Sequence, residues 1–111
     1  MVLKEARLEM LNVLSIKQKI SPICKQHGVK RAYLFGSYAR GDATDQSDID
    51  IRIEKGNLRG LLAISGFQID LEKALAKKVD LITVLPQEVL YDIFKKNLMK
   101  DEVLLYESEG D

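Results

Sequence analysis

The sequence lacks several features that would mark a secreted, membrane-bound or nucleic-acid-gripping protein. It holds a single cysteine, Cys24, in 111 residues. That excludes an internal disulfide framework and a cysteine-cluster zinc site, and fits a reducing compartment, the cytoplasm. Neither charge is in excess, because 17 Lys and Arg balance 17 Asp and Glu. Such a balance argues against direct binding of a polynucleotide backbone as the main task. No apolar run approaches the roughly 18–20 residues that a membrane span needs, and the N-terminus has no secretory signal pattern. Internal repeats, low-complexity tracts and linker-like stretches are absent as well. What is present is 46% apolar and 31% charged residues, the composition of an ordered globular chain whose residues 1–111 form one domain.

Periodicity divides the chain into helices and strands. Leu3, Leu8, Leu11 and Leu14 stand close to helical spacing, which predicts an N-terminal helix over 1–14. Ser15 can cap a second helix toward His27, with Gly28 as its stop and Pro22 as a kink or a restart after Ser21. Residues 30–35 read as a strand that ends abruptly at Gly36-Ser37, and a turn-rich loop follows over 41–46. Residues 48–54, Asp-Ile-Asp-Ile-Arg-Ile-Glu, alternate strictly. Ile49, Ile51 and Ile53 therefore share one buried face, and Asp48 and Asp50 share the other. A crossover helix is expected over 58–76, then a nearly all-apolar strand over 79–84, buried on both faces. Pro86 opens a further helix to about residue 98, residues 103–106 make a last short strand, and 107–111 form a frayed tail. The order points to an α/β (α+β) domain, a small mixed β-sheet flanked by helices.

The chemistry concentrates where carboxylates meet a tight turn. Asp48 and Asp50 lie side by side on one strand face, where like charges repel and folding alone gives no reason to place them. A divalent cation resolves the conflict, and oxygen ligands on a rigid strand suit Mg²⁺. The plainer alternative is a solvent-facing strand with Asp as a polar spacer. Asp80 is the one charged residue of the 79–84 strand, and it is costly there unless it is paired, hydrogen-bonded, metal-bound or wet at the strand's first turn. If that strand lies beside the Asp48/Asp50 strand, three carboxylates converge. Such a set can hold two metal ions roughly 3.5–4 Å apart for in-line phosphoryl or nucleotidyl transfer. Gly36 lets the backbone turn out of its strand, and Ser37 with the following amides can face an anion. Arg40, one helical turn beyond Ser37, can clamp a terminal phosphate. Taken singly, each of these also reads as an ordinary turn or a solvated side chain.

The combination Gly36-Ser37, ten residues, Asp48-x-Asp50 matches by chance in roughly one chain of this length per thousand. It resembles the signature of the DNA polymerase β-like nucleotidyltransferase superfamily. The run from Phe35 to Gly41, then Ser47-Asp48-Ile49-Asp50, and later Lys78-Val79-Asp80-Leu81-Ile82, is similar to its minimal nucleotidyltransferase (MNT) branch. The resemblance covers about residues 16–106. It implies the polymerase β-like fold and transfer of a nucleoside monophosphate from a triphosphate, commonly ATP, with two Mg²⁺ ions and release of pyrophosphate. It also implies that Asp48, Asp50 and Asp80 are the catalytic metal ligands, and that Gly36, Ser37 and Arg40 bind the nucleotide. Many MNT proteins act as antitoxins of a HEPN-domain toxin, and some add AMP to a tyrosine of that partner.

One physical argument for a partner is independent of the family. Once the core strands and their helices are counted, almost no chain remains to bind an acceptor, so the acceptor must come from another molecule. The alternatives are a binding-only antitoxin that masks its partner without catalysis, and transfer to a small molecule. Elsewhere the residues read as structural. His27 sits at a helix end, where imidazolium suits the dipole, and Cys24 is a small core residue.

Overall fold

A computed structural model of the chain describes residues 11–83 and 102–109. Most of the expected N-terminal helix, the helix after Pro86 and the last two residues lie outside these. Among the described residues the elements are α1 (Val13–His27), β1 (Arg31–Phe35), the single turn α2 (Ser37–Arg40), β2 (Ile49–Glu54), α3 (Leu61–Leu75), β3 (Val79–Ile82) and β4 (Val103–Glu107). The sheet has the order β3-β2-β1-β4. β1 runs antiparallel to β2 and β4, while β2 and β3 are parallel and joined by α3. This is the mixed sheet with flanking helices that the sequence pattern predicts.

α1 starts earlier than expected. Asn12 has extended backbone, φ −130° and ψ 177°, and its side chain accepts from the Ser15 N–H at 2.8 Å. Ser15 Oγ accepts in turn from the Asn12 N–H at 3.0 Å. The cap is thus Asn12, and Ser15 is its reciprocal partner three residues on. Leu14 belongs to α1 rather than to the preceding segment and is largely exposed, because the buried stripe is Ile16, Ile20 and Cys24. The helix continues through Pro22. Pro22 lies on the solvent side, where water can serve the carbonyl that loses its amide partner.

Ile49, Ile51 and Ile53 point inward as the alternation requires, with Ala32 and Leu34 beside them on β1. Against them pack Ile16, Ile20 and Cys24 from α1, and Phe67, Leu71 and Leu75 from α3. Burial pushes the Cys24 thiol up to about 12, so it remains a neutral packing group. At the seam between the helices, His27 Nε2 lies 2.8 Å from Asp70 Oδ2, and the imidazole meets Phe67 edge-on. On the opposite face of the sheet, Arg52 stacks over the Tyr33 ring at 4.4 Å and binds Glu102 at 2.7 Å. That pair ties the start of β4 to β2 across the intervening β1.

Three further boundaries differ from expectation. α3 begins at Leu61 because Gly60 takes φ +89°, a left-handed conformation that ends any helix upstream. Leu58 is buried ahead of the helix, whereas Leu61 and Leu62 face solvent. β3 is an edge strand among the described residues, so only Val79 is fully buried and Asp80 is exposed. Val84, its expected end, lies outside the described residues. Finally, Glu107 is no frayed tail. It accepts from Arg31 Nε at 2.9 Å, and the next amide, Ser108, donates to the Lys30 carbonyl at 2.9 Å. No helix of the described residues is long and apolar enough to cross a membrane.

Replacing Asn12 by Ala removes one half of the capping box. It should lower stability by about 1 kcal/mol, read as a shift in the urea midpoint at unchanged slope.

Candidate active site

The site forms at the carboxyl end of β1, where the chain leaves the sheet. Gly36 has φ +76° and ψ −153°, a conformation closed to residues with a side chain. Space gives a second reason for glycine: a Cβ at this position would collide with the Asp50 carboxylate. The backbone of the turn and the side chain of β2 are therefore in direct contact. α2 follows at once, its Ala39 and Arg40 amides donating to the Gly36 carbonyl at 3.1 and 3.0 Å. Tyr38 is buried in the core and anchors the turn. The first amides of this turn, Ser37 and Tyr38, have no carbonyl within it to serve.

Asp50 pairs across the sheet with Phe35 on one side and with Asp80 on the other. In the parallel β2–β3 pair the Asp50↔Asp80 register puts the two carboxylates next to each other on one face, together with Asp48 two residues back. Burial, a hydrogen bond with Asp80 and the charges of Asp80 and Asp48 push the Asp50 carboxyl up to about 6, against an opposing pull from Arg40. The same interactions place Asp48, Asp80 and Arg40 within electrostatic reach of Asp50. Arg40 itself is exposed, with Nε 3.3 Å from Asp42 Oδ2. Of the residues singled out from the sequence, Gly36, Asp48, Asp50, Asp80 and Arg40 are thus brought to one corner, and Ser37 opens the turn beside them.

Among the described residues no group of three Asp, Glu, His or Cys side chains is gathered so that it could hold a metal ion as it stands. The in-register Asp50–Asp80 pair nonetheless suits a hard cation. Mg²⁺ is commonly held by one or two carboxylates, with substrate phosphates supplying further oxygens. A cation would also offset the cost of a charged, partly buried Asp50 and its repulsion from Asp80 and Asp48. The donor set fits.

One residue absent from the sequence reading also shapes this corner. Lys77 Nζ donates to the Asp45 carbonyl at 2.8 Å and so pins the loop before Asp48 to the entry of β3. A lysine thirty-two positions away in sequence carries no local signal of such a role.

The comparisons with known proteins decide the family. Residues 18–111 match the family described as Polymerase beta, Nucleotidyltransferase. The chain belongs to that family. This nucleotidyltransferase is 40% identical over 93 residues to a candidate protein adenylyltransferase of Methanocaldococcus jannaschii, covering 84% of this chain and 97% of the relative. It is similar to a solved candidate minimal nucleotidyltransferase, with TM-score 0.61, 27% identity, and coverage of 72% of this chain and 88% of the other. Its fold is also that of a complex of tri-AMPylated Shewanella oneidensis HEPN toxin with MNT antitoxin, with TM-score 0.61 and 20% identity over 86% of this chain and 73% of that one.

Two outcomes follow for the metal-free nucleotidyltransferase. Gly36→Ala should destabilise it by about 2 kcal/mol. Part of that loss should return when Asp50→Ala is added, and a double-mutant cycle of urea midpoints measures the coupling. Asp50 has its ordinary carboxyl value, 3.8, in the unfolded chain and about 6 in the folded one. The folded protein therefore holds this proton more tightly, and stability falls as pH rises from about 4 through about 6. Asp50→Asn should flatten that fall. It should make the chelator-treated protein more stable at pH 7 by roughly 1–2 kcal/mol, a range discounted for partial solvation, in urea titrations run from pH 4 to 8.

Proposed function

We propose that this nucleotidyltransferase is a Mg²⁺-dependent protein adenylyltransferase. In this reading it moves AMP from ATP to a hydroxyl of a HEPN-domain toxin and acts as that toxin's antitoxin. The observation that carries the reading is the in-register pairing of Asp50 with Asp80 against the Gly36 turn. Like charges are held there at a cost to the free protein, next to a backbone surface shaped for phosphate. The candidate protein adenylyltransferase among the relatives and the AMPylated toxin seen with a protein of the same fold support the acceptor and the partner. A buried, free Cys24 and the ATP consumed fit the cytoplasm.

The roles follow from position. Gly36 keeps side-chain bulk away from the triphosphate, and the Ser37 hydroxyl with the leading amides of α2 receives its oxygens. Arg40 exchanges its exposed contact with Asp42 for a phosphate, a stronger charge-assisted partner. Asp48, Asp50 and Asp80 would hold the metal, which when bound neutralises the phosphates and orients the two reacting oxygens. The acceptor oxygen bonds to the α-phosphorus, the bond from that phosphorus to pyrophosphate breaks, and the hydroxyl proton leaves to a carboxylate of the Asp50–Asp80 pair. The acceptor itself comes with the partner.

Incubation with α-labelled ATP, Mg²⁺ and the protein encoded beside it should add one or more AMP units to that neighbour, read by intact mass. The Asp48→Asn/Asp50→Asn double variant should lose at least about 10³-fold in rate while staying folded. A tight complex with no label on either protein would instead establish masking without catalysis.

A further inference from the structure

The third carboxylate poses a problem that the catalytic reading leaves open. Asp80 is the exposed second residue of a short strand that, among the described residues, stands at the sheet edge with hydrogen-bonded sheet on one side. Edge strands fray and slip. A slip of one residue would turn Asp80 away from Asp50 and bring Leu81 or Val79 to its place. Something must fix the register at this point.

α3 supplies it. The Ile49 amide donates to the Lys78 carbonyl at 3.1 Å, so in the parallel ladder the polar backbone groups of the next residue, Val79, point away from β2. Both of them are met by side chains of α3. Val79 N–H donates to Glu72 Oε2 at 2.9 Å, and Gln68 Nε2 donates to the Val79 carbonyl at 2.8 Å. The two side chains are four positions apart and therefore neighbours on one helix face. Their chemistry matches their targets, a carboxylate facing an amide and a carboxamide facing a carbonyl. Both bonds are part-buried, where a lost partner is felt more than at the surface. The helix is itself fixed by Phe67, Leu71 and Leu75, which alternate with the two polar residues along its inner side and are buried in the core.

We infer that Gln68 and Glu72 are positioning residues for the metal site, a backbone clip from α3 that sets the register of β3 and so presents Asp80 to Asp50. The inference rests on the proposed metal-dependent reading. It adds that the affinity of the site for its cation is set from outside the carboxylates. The clip acts through the backbone of Val79.

The test uses the full chain and Mn²⁺ as the probe, with free Mn²⁺ read by electron paramagnetic resonance. Gln68→Met keeps the length and removes the donor, Gln68→Glu sets a carboxylate against a carbonyl, and Glu72→Gln keeps an acceptor for the Val79 amide. Gln68→Met should weaken Mn²⁺ binding by about 10-fold, Gln68→Glu should weaken it further, and both should speed hydrogen exchange at the Val79 and Asp80 amides. The Mg²⁺ concentration for half-maximal labelling should rise in parallel. Glu72→Gln should stay within about threefold of the wild type, which is the conservative rescue. The exposed Lys73→Gln change on the same helix should alter nothing. Unchanged Mn²⁺ affinity in both Gln68 variants, with only a lower melting temperature, would reduce the clip to a structural role and overturn the inference. The underlying reading fails separately if the wild type binds no Mn²⁺ that Asp50→Asn removes, and the inference falls with it.

Discussion

Two carboxylates in register on neighbouring parallel strands are the constraint around which this protein is arranged. Burial of Asp50, its hydrogen bond with Asp80 and then the repulsion between the two hold the Asp50 carboxyl up at about 6. A chain selected for stability alone would relieve this by substituting either residue with a neutral one. The rest of the structure keeps the two together. The parallel ladder sets them level, the core beneath Ile49 and Ile51 keeps β2 from shifting, and the absence of a side chain at Gly36 leaves room for the Asp50 carboxylate.

The site is thereby divided between rigid and adjustable parts. The carboxylates stand on strands backed by a continuous apolar layer, and Tyr38 sinks the adjoining turn into the same layer. Arg40 instead projects from the end of a single turn and pairs weakly with Asp42 at an exposed position. Exposed ion pairs of this kind contribute little to stability, so this arginine can leave its partner without disturbing the fold. Rigid anions and one adjustable cation suit a highly charged ligand that must bind and, after reaction, depart.

Support from outside the site follows the same logic. Lys77 ties the loop before Asp48 to the entry of β3, and Gln68 and Glu72 reach the strand from α3. Across the sheet, Arg52 and Glu102 hold β4 to β2 over the ring of Tyr33. In each case a side chain joins backbone or strands that the local sequence leaves unconnected. A small domain has little buried area with which to hold its edges, and such polar ties replace further layers of core.

The alternation of residues 48–54 fixed by itself which face of β2 carries Asp48 and Asp50, because a period of two leaves no choice. Gly36-Ser37 marked the turn for the same local reason, as only glycine tolerates that backbone, and the spacing to the paired aspartates was enough to point to the family. Local pattern was weaker at the boundaries. Ser15 looked like a cap because a capping box has two members and the sequence does not say which is first, and β3 looked buried because apolar content does not reveal an edge. Tertiary structure alone decided that Asp80 comes level with Asp50, that a Cβ at Gly36 would strike a carboxylate fourteen residues on, and that Gln68 and Glu72 grip Val79. These are relations between segments distant in sequence. Strand order and register come from packing the whole chain, and no period or propensity within one segment encodes them.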